Sequence, residues 1–171
     1  MQTIVSRKIN PASNGIVSVT EFKSDGKRNI LPGKAIISGD TRALSDVTNK
    51  IIEANMKKIV QGICEAHDVK FKVSYKTEFP MTINSHHQTK AAIKACKKLV
   101  GEENVNGEGE PILFSEDFSH MSSSKPGCFI LIGNGTTGSH ARPLHASSYD
   151  FNDELLVIGS SYWVELVEQQ L

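Results

Sequence analysis

The chain has 171 residues, 39% of them apolar, and its 19 Lys and Arg residues balance 19 Asp and Glu residues. This apolar fraction argues against global disorder, and the length suits one domain or two small ones. The zero net charge gives no electrostatic reason to expect a nucleic acid or an anionic membrane as a partner. No apolar run approaches the roughly 18 residues of a membrane span, and residues 1–7 are too polar for a secretory signal.

The cysteines indicate a reducing compartment. There are three, Cys64, Cys96 and Cys128, and none belongs to a CxxC motif. An odd number without such a motif fits reduced thiols better than a disulfide framework. We therefore expect a cytoplasmic protein.

The first half of the chain predicts two strands and a helix. Residues 16–22 and 35–38 are rich in β-branched residues and are separated by turn-forming residues, which indicates a pair of strands. Residues 47–66 carry an apolar stripe at spacings of three and four residues, which predicts a helix. Ser45 or Asp46 is a suitable N-cap for it.

Residues 69–75 show the cleanest alternation in the chain, with Val, Phe, Val and Tyr separated by Lys, Lys and Ser. This pattern predicts a strand with one buried and one solvated face. The order strand, strand, helix, strand predicts an antiparallel sheet with a helix on one face. Phe79 and Pro80 then break the pattern and mark a domain boundary.

The second half predicts two helices around a central strand. A helix is expected over residues 88–100, and a last helix after Asn152, which can act as its N-cap. Between them, residues 112–114 form a short run expected to be buried, and residues 128–133 form an apolar run expected to be a central strand. Residues 134–148 form a long loop, a type of segment that is often functional.

His145 is the strongest candidate among the six histidines. It lies between the predicted central strand and the last helix, a junction at which α/β proteins place functional groups. His86 and His87 are adjacent and are interpreted as exposed residues at a helix start. His67 ends a helix, where a cation is favoured. His140 remains open between a functional and a structural interpretation.

Three other polar residues are candidate substrate contacts. Asn29 precedes the second strand and Arg42 follows it, and residues of adjacent antiparallel strands can converge. A guanidinium with a carboxamide suits a substrate carboxylate. Glu116 is one of two adjacent carboxylates after the short apolar run, which can serve a site. The residues alone favour the alternative that Ser115 caps a short helix with Glu116 in its first turn.

Five stretches, taken together and in this order along the chain, give a specific resemblance to one protein family. They are Gln2–Arg7, Asn29–Pro32 with Gly39–Arg42, Ser115–Ser119, Pro126–Gly133, and His145 with Tyr149–Glu154. With them the chain resembles the C-terminal half of a zinc-type amidohydrolase. This family includes hippurate hydrolases, N-acyl-amino-acid amidohydrolases and carboxypeptidases of the aminoacylase-like metallopeptidase superfamily.

The resemblance implies an α+β fold with two domains, both incomplete. Residues 1–78 would form most of a ferredoxin-like lid or dimerisation domain, without its first strand and most of its first helix. Residues 84–171 would form the C-terminal portion of a metallopeptidase α/β catalytic domain.

The resemblance also implies roles for five residues. His145 corresponds to a metal-binding histidine, and Asn29 and Arg42 to lid residues that hold the substrate's carboxylate. Gly133 corresponds to a backbone position at the substrate, and Glu116 to a motif residue near the site. The complete enzyme would bind two divalent metals, zinc or manganese-like.

The chain departs from the family in its metal ligands. The family's Gly-His-Asp motif, its Glu-Glu pair with the general base, and a further histidine have no counterpart here, and Glu102-Glu103 does not match. A catalytic zinc generally needs about three protein ligands. We therefore expect this chain alone to bind no metal stably and to be inactive.

The expected activity is that of a fragment of a metal-dependent amidohydrolase, which hydrolyses the amide bond of N-acyl amino acids or small peptides. The alternative is a non-catalytic dimerisation or interaction module, or a decayed reading frame. The expected partners are the small substrate and a second copy bound through the lid domain, with no nucleic acid and no membrane. An open sheet edge and exposed apolar surface favour such an assembly.

Overall fold

A computed structural model describes the chain from Met1 to Leu171. It contains one β-hairpin and several helices. The elements are α1 (Thr3–Arg7), β1 (Gly15–Ser24), β2 (Ala35–Ala43), α2 (Asp46–Ala66), α3 (His86–Val100), α4 (Phe118–Ser122) and α5 (Leu155–Glu168). This mixture of helix and sheet confirms the predicted α+β class. None of the helices is long and apolar enough to cross a membrane.

The chain divides into two compact units. Unit 1 contains residues 1–81 and 111–116, and unit 2 contains residues 82–110 and 117–171. The short segment 111–116 belongs to unit 1. The burial predicted for residues 112–114 is wrong, because Ile112 is 57% exposed and Phe114 is 42% exposed.

The hairpin of unit 1 confirms the two predicted strands. β1 and β2 pair antiparallel, from Gly15 opposite Ala43 to Ser24 opposite Ala35, with a bulge near Val19. The strands approach each other closely at Gly39, where an added Cβ would lie 2.0 Å from the carbonyl oxygen of Ser18. Only glycine fits this position without moving the opposite strand.

Helix α2 begins where the sequence predicts and covers the hairpin. The hydroxyl of Ser45 accepts a hydrogen bond from the backbone N–H of Thr48 at 3.0 Å, so Ser45 is the N-cap. Ile52 of the apolar stripe is fully buried against Ile4 and Val17. Unit 1 therefore has its core between α1, the hairpin and α2.

The strand predicted over residues 69–75 is wrong, because the segment has no ladder partner and the sheet has two strands. The segment contacts the rest of unit 1 through a side chain. The Tyr75 hydroxyl lies 2.7 Å from the hydroxyl of Thr41 on β2 and donates to Asn49 on α2 at 2.5 Å. Alternation shows that a segment has two faces, but a strand also needs a neighbour about 4.8 Å away.

Helices α3 and α5 form the core of unit 2. Ala92, Ala95 and Tyr162 are buried there, and Lys98 contacts Glu165 with an Nζ–Oε2 distance of 2.6 Å. Helix α5 begins at Leu155, two residues later than a cap at Asn152 implies. The Asn152 side chain nevertheless accepts a hydrogen bond from the N–H of Glu154 at 3.1 Å, which is the bond expected of a capping residue.

The central strand predicted over residues 128–133 is also wrong. The backbone of Phe129 pairs with a side chain, since Asn84 donates to its carbonyl at 2.9 Å and accepts from its N–H at 2.8 Å. Ser85 adds a hydrogen bond from its N–H to the carbonyl of Gly127 at 2.8 Å. The segment is held at the start of α3 but belongs to no sheet.

Candidate functional site

Arg42 lies near the end of β2 with an oriented guanidinium. Its Nε donates to Oδ2 of Asp40 at 2.9 Å, and its Nη1 donates to the carbonyl of Leu113 at 2.8 Å. Nη2 makes no hydrogen bond, and the side chain is 37% exposed. Because Nε and Nη1 are held in place and Nη2 is available, the Arg42 guanidinium is suited to bind an external carboxylate.

Glu116 lies in the segment that holds Arg42, three residues after Leu113, and is half-buried. The alternative expected for this stretch is only partly right. A short helix, α4, does follow, but Asp117 occupies its N-cap position without a side-chain bond, and Ser115 does not cap it. The structure therefore brings Arg42 and the Glu116 segment into one unit.

Asn29 does not converge with Arg42 within one chain. It lies in the exposed turn in which Lys27 and Ile30 exchange backbone hydrogen bonds of 3.1 and 3.0 Å. Arg42 pairs with Ile16 at the opposite end of the hairpin. About 25 Å of strand separates the two ends. The expected convergence is wrong, because the strand register places Asn29 at the turn of the hairpin and Arg42 at its open end.

Gly133 and Asn134 stand at the base of the long loop. Gly133 is exposed, and an added Cβ would meet nothing within 4 Å, so its backbone is accessible. The Asn134 carboxamide donates to the carbonyls of His140 and Asp150 at 2.9 and 2.8 Å. It also accepts from the N–H of Asn152 at 2.8 Å. Asn134 thus closes the loop, a role that no local sequence signal indicated.

His145 lies within this loop with its side chain exposed and without a hydrogen bond or ion pair. Its φ of 68° is in the left-handed region that non-glycine residues adopt rarely. Such a conformation is a recurrent feature of functional sites. The loop therefore presents an accessible imidazole at a strained position.

Three other histidines agree with their simpler interpretations, and His140 has a structural contact. His86 and His87 are exposed at the start of α3, and His67 is the C-cap of α2. His140 is bound to the loop, with Nδ1 at 3.3 Å from the carbonyl oxygen of Asp150 and 3.9 Å from its Oδ2.

A metal centre requires more ligands than these residues supply. Nowhere in residues 1–171 do three or more His, Cys, Asp or Glu side chains lie together in a way that could hold a metal ion. His145 alone offers one exposed imidazole. The residues of this chain therefore do not fit a dinuclear centre, or a catalytic zinc site, by themselves.

The sequence matches the profile of Peptidase family M20/M25/M40 over residues 6–169. The chain belongs to this family. A hippurate hydrolase from Campylobacter jejuni subsp. jejuni is 33% identical over 171 residues, which cover all of this chain and 44% of the relative. An N-acetylcysteine deacetylase from Bacillus subtilis is 26% identical over 167 residues, 97% of this chain and 42% of the relative.

Solved structures agree with this assignment. A protein from methicillin-resistant Staphylococcus aureus, proposed to be an aminohydrolase, superposes with a TM-score of 0.78 at 27% identity. The superposition covers 97% of the present chain and 41% of the Staphylococcus aureus chain. A Bacillus subtilis protein described as a dinuclear metal-binding peptidase of the M20 family shares the fold, with a TM-score of 0.75 at 24% identity. This superposition covers 96% of the present chain and 43% of the Bacillus chain.

The chain thus spans about two fifths of the length of the M20 relatives that it matches. The family resemblance and the fold class expected from the sequence are confirmed. The family contains amidohydrolases and peptidases that depend on metals.

Proposed function

We propose that this chain is part of a metal-dependent amidohydrolase that cleaves the amide bond of N-acyl amino acids or small peptides, and that Arg42 binds the substrate's carboxylate. The orientation of the Arg42 guanidinium by Asp40 and Leu113 is the observation that supports this proposal. An arginine held in this way recognises a carboxylate at low entropic cost. The hydrolases named among its M20 relatives support the reaction class.

The remaining residues have proposed roles around the same substrate. His145 is proposed as one metal ligand, because its imidazole is exposed and unpaired. Gly133 is proposed to face the substrate with its accessible backbone, and Glu116 to lie nearby. Zinc and manganese are the proposed metals. Since a single histidine cannot hold them, we propose that hydrolysis needs further polypeptide and that this chain alone is inactive.

A second copy is proposed to complete the carboxylate site. Asn29 and Arg42 occupy opposite ends of the hairpin, so one substrate can touch both only if they come from two copies. The accessible surface supports an assembly, since it measures 13269 Å². Two separate compact globules of half this mass would expose about 10,000 Å². We propose a homodimer through the lid, in the cytoplasm, where the three free thiols would remain reduced.

A titration with hippurate tests the carboxylate site. Saturating hippurate should shift the NMR signal of the Arg42 Nε–H group. Hippuramide, the neutral amide of the same compound, should leave it unchanged. The R42A variant should lose binding, whereas R7A should retain it, because Arg7 is an exposed residue of α1. Equal effects of hippurate and hippuramide would refute the role of Arg42.

Three measurements test the remaining parts. The purified chain with zinc or manganese should release no glycine from hippurate, and turnover would refute the proposed inactivity. In sedimentation the chain should form a dimer, and a stable monomer would contradict it. Mixing R42A with N29A copies should restore binding at about a quarter of the sites, because only mixed dimers contain one intact site.

The alternative is a non-catalytic interaction module, favoured by the large exposed surface and by the absence of three clustered metal ligands. It predicts assembly without any response of Arg42 to hippurate. The same titration and sedimentation experiments therefore separate the two functions.

A further inference from the structure

Two of the three cysteines share one packed cluster in unit 2. Cys96 on α3 and Cys128 in the segment after α4 both pack against the buried cluster around Tyr162. Both are free thiols with partial exposure. The third cysteine, Cys64, lies on α2 in unit 1 and takes no part in this cluster.

The charges of these groups act on each other. Burial raises the pKa of the Cys96 thiol, and the charge of Cys128 raises it further. Burial, followed by the charges of Cys96 and Cys128, raises the pKa of Tyr162 to about 12. Groups that influence each other's ionisation in this way lie close together, in agreement with their common packing.

We propose that Cys96 and Cys128 form a thiol–disulfide modification site, which a low-molecular-weight disulfide such as oxidised glutathione converts to an intramolecular disulfide. The thiolate of one cysteine attacks oxidised glutathione, forms a mixed disulfide and releases one glutathione thiolate. The thiolate of the other attacks the protein sulfur of that mixed disulfide and releases the second glutathione. The two protein thiols lose two electrons and two protons, and oxidised glutathione becomes two molecules of reduced glutathione.

The position of Cys128 makes the second step feasible. Its segment, residues 127–133, is held at Gly127 and Phe129 by residues next to α3 but belongs to no sheet. The sulfur can therefore move without breaking a strand ladder. A disulfide would tie this segment to α3, and the segment leads directly to Gly133 at the base of the loop.

The chain contains its own control for selectivity. Cys64 and Cys96 are separated by 32 residues, and so are Cys96 and Cys128. In an unfolded chain, loop closure costs the same for both pairs, so both disulfides should form to the same extent. Any preference for one pair in the native protein must come from the folded structure.

The experiment oxidises the native chain with oxidised glutathione and maps the disulfides by mass spectrometry after digestion. Cys96–Cys128 should exceed Cys64–Cys96 at least tenfold, and in urea the ratio should fall to about one. C64S should still form the bond and gain no glutathione adduct. C96S and C128S should each stop at a glutathione adduct on the remaining cysteine of the pair.

The rate supplies a second readout. It should rise with pH through the alkaline range, because the raised pKa of Cys96 keeps its thiolate fraction small at neutral pH and this fraction grows as the pH increases. A native ratio near one, a disulfide only between copies, or stable glutathione adducts on both Cys96 and Cys128 would each overturn the proposal.

Discussion

The two units hold their candidate residues in different ways. In unit 1, Arg42 lies on a paired strand, and a neighbouring carboxylate and the carbonyl of Leu113 orient its guanidinium. In unit 2, His145 lies on a loop that the Asn134 carboxamide closes at its base. The position of Arg42 thus depends on backbone pairing, and that of His145 on one side chain. Changes to the hairpin and to Asn134 should therefore affect different units.

The largest effect is expected from G39A. An added Cβ would lie 2.0 Å from the carbonyl oxygen of Ser18, so the strands must separate. We expect unit 1 to lose about 3 kcal/mol of stability, measured by urea unfolding. G62A is the matched control, because nothing lies within 4 Å of its Cβ on α2. It should gain about 0.5–1 kcal/mol, and equal unfolding of the two variants would contradict this account.

N134A should release the loop without unfolding the hairpin. The variant removes three hydrogen bonds, each worth about 1 kcal/mol, so loop opening should become easier by about 2–3 kcal/mol. Hydrogen exchange of the Asn152 amide should accelerate about 30- to 150-fold. N106A removes one exposed bond, to the N–H of Glu108, and should leave Asn152 unchanged. Unchanged exchange in N134A would exclude its role as the loop anchor.

S45A should weaken unit 1 by about 1 kcal/mol, because the N-terminus of α2 loses its side-chain cap. Ser85 occupies the same position on α3 but makes no such cap, and its hydroxyl accepts from the N–H of Gly127 at 3.2 Å. S85A should therefore leave the helix content unchanged and increase amide exchange at Gly127. Circular dichroism measures the helix content of both variants, and hydrogen exchange measures the protection of the Gly127 amide. An equal loss of helix in S45A and S85A would contradict the proposal that only Ser45 caps its helix.

The smallest effect concerns the ion pair of unit 2. The hydrogen bond from Lys98 lowers the pKa of Glu165 from its usual 4.5, and Glu165 raises the pKa of Lys98 from 10.5. The Glu165 contribution is present above pH 4.5 and is lost as the pH falls through the lowered pKa. The Lys98 contribution is present below pH 10.5 and is lost as the pH rises through the raised pKa.

E165Q should therefore reduce the loss of thermal stability of unit 2 at both pH extremes. E110Q, at an exposed loop position, is the control and should retain the wild-type pH profile. A profile of E165Q that is identical to that of the wild type would show that the ion pair contributes nothing to the pH dependence of the stability of unit 2.

Local patterns predicted the helices well. The apolar stripe and Ser45 located α2, and the acidic loop located the end of α3, because a helix satisfies its own backbone. The same patterns failed for residues 69–75 and 128–133, since a strand depends on a neighbour that the segment itself does not contain. The family motifs identified Arg42 and His145 as candidates, but their surroundings came from contacts distant in sequence.

The sequence by itself determined the α+β class, the M20 family and the types of residue available to a site. The tertiary structure decided which of those residues lie together. The hairpin register separates Asn29 from Arg42. Asn134 closes a loop through partners 6, 16 and 18 residues away. Cys128, and not the equally spaced Cys64, packs near Cys96. These relations depend on how the chain folds back on itself, and a pattern of neighbouring residues does not contain that information.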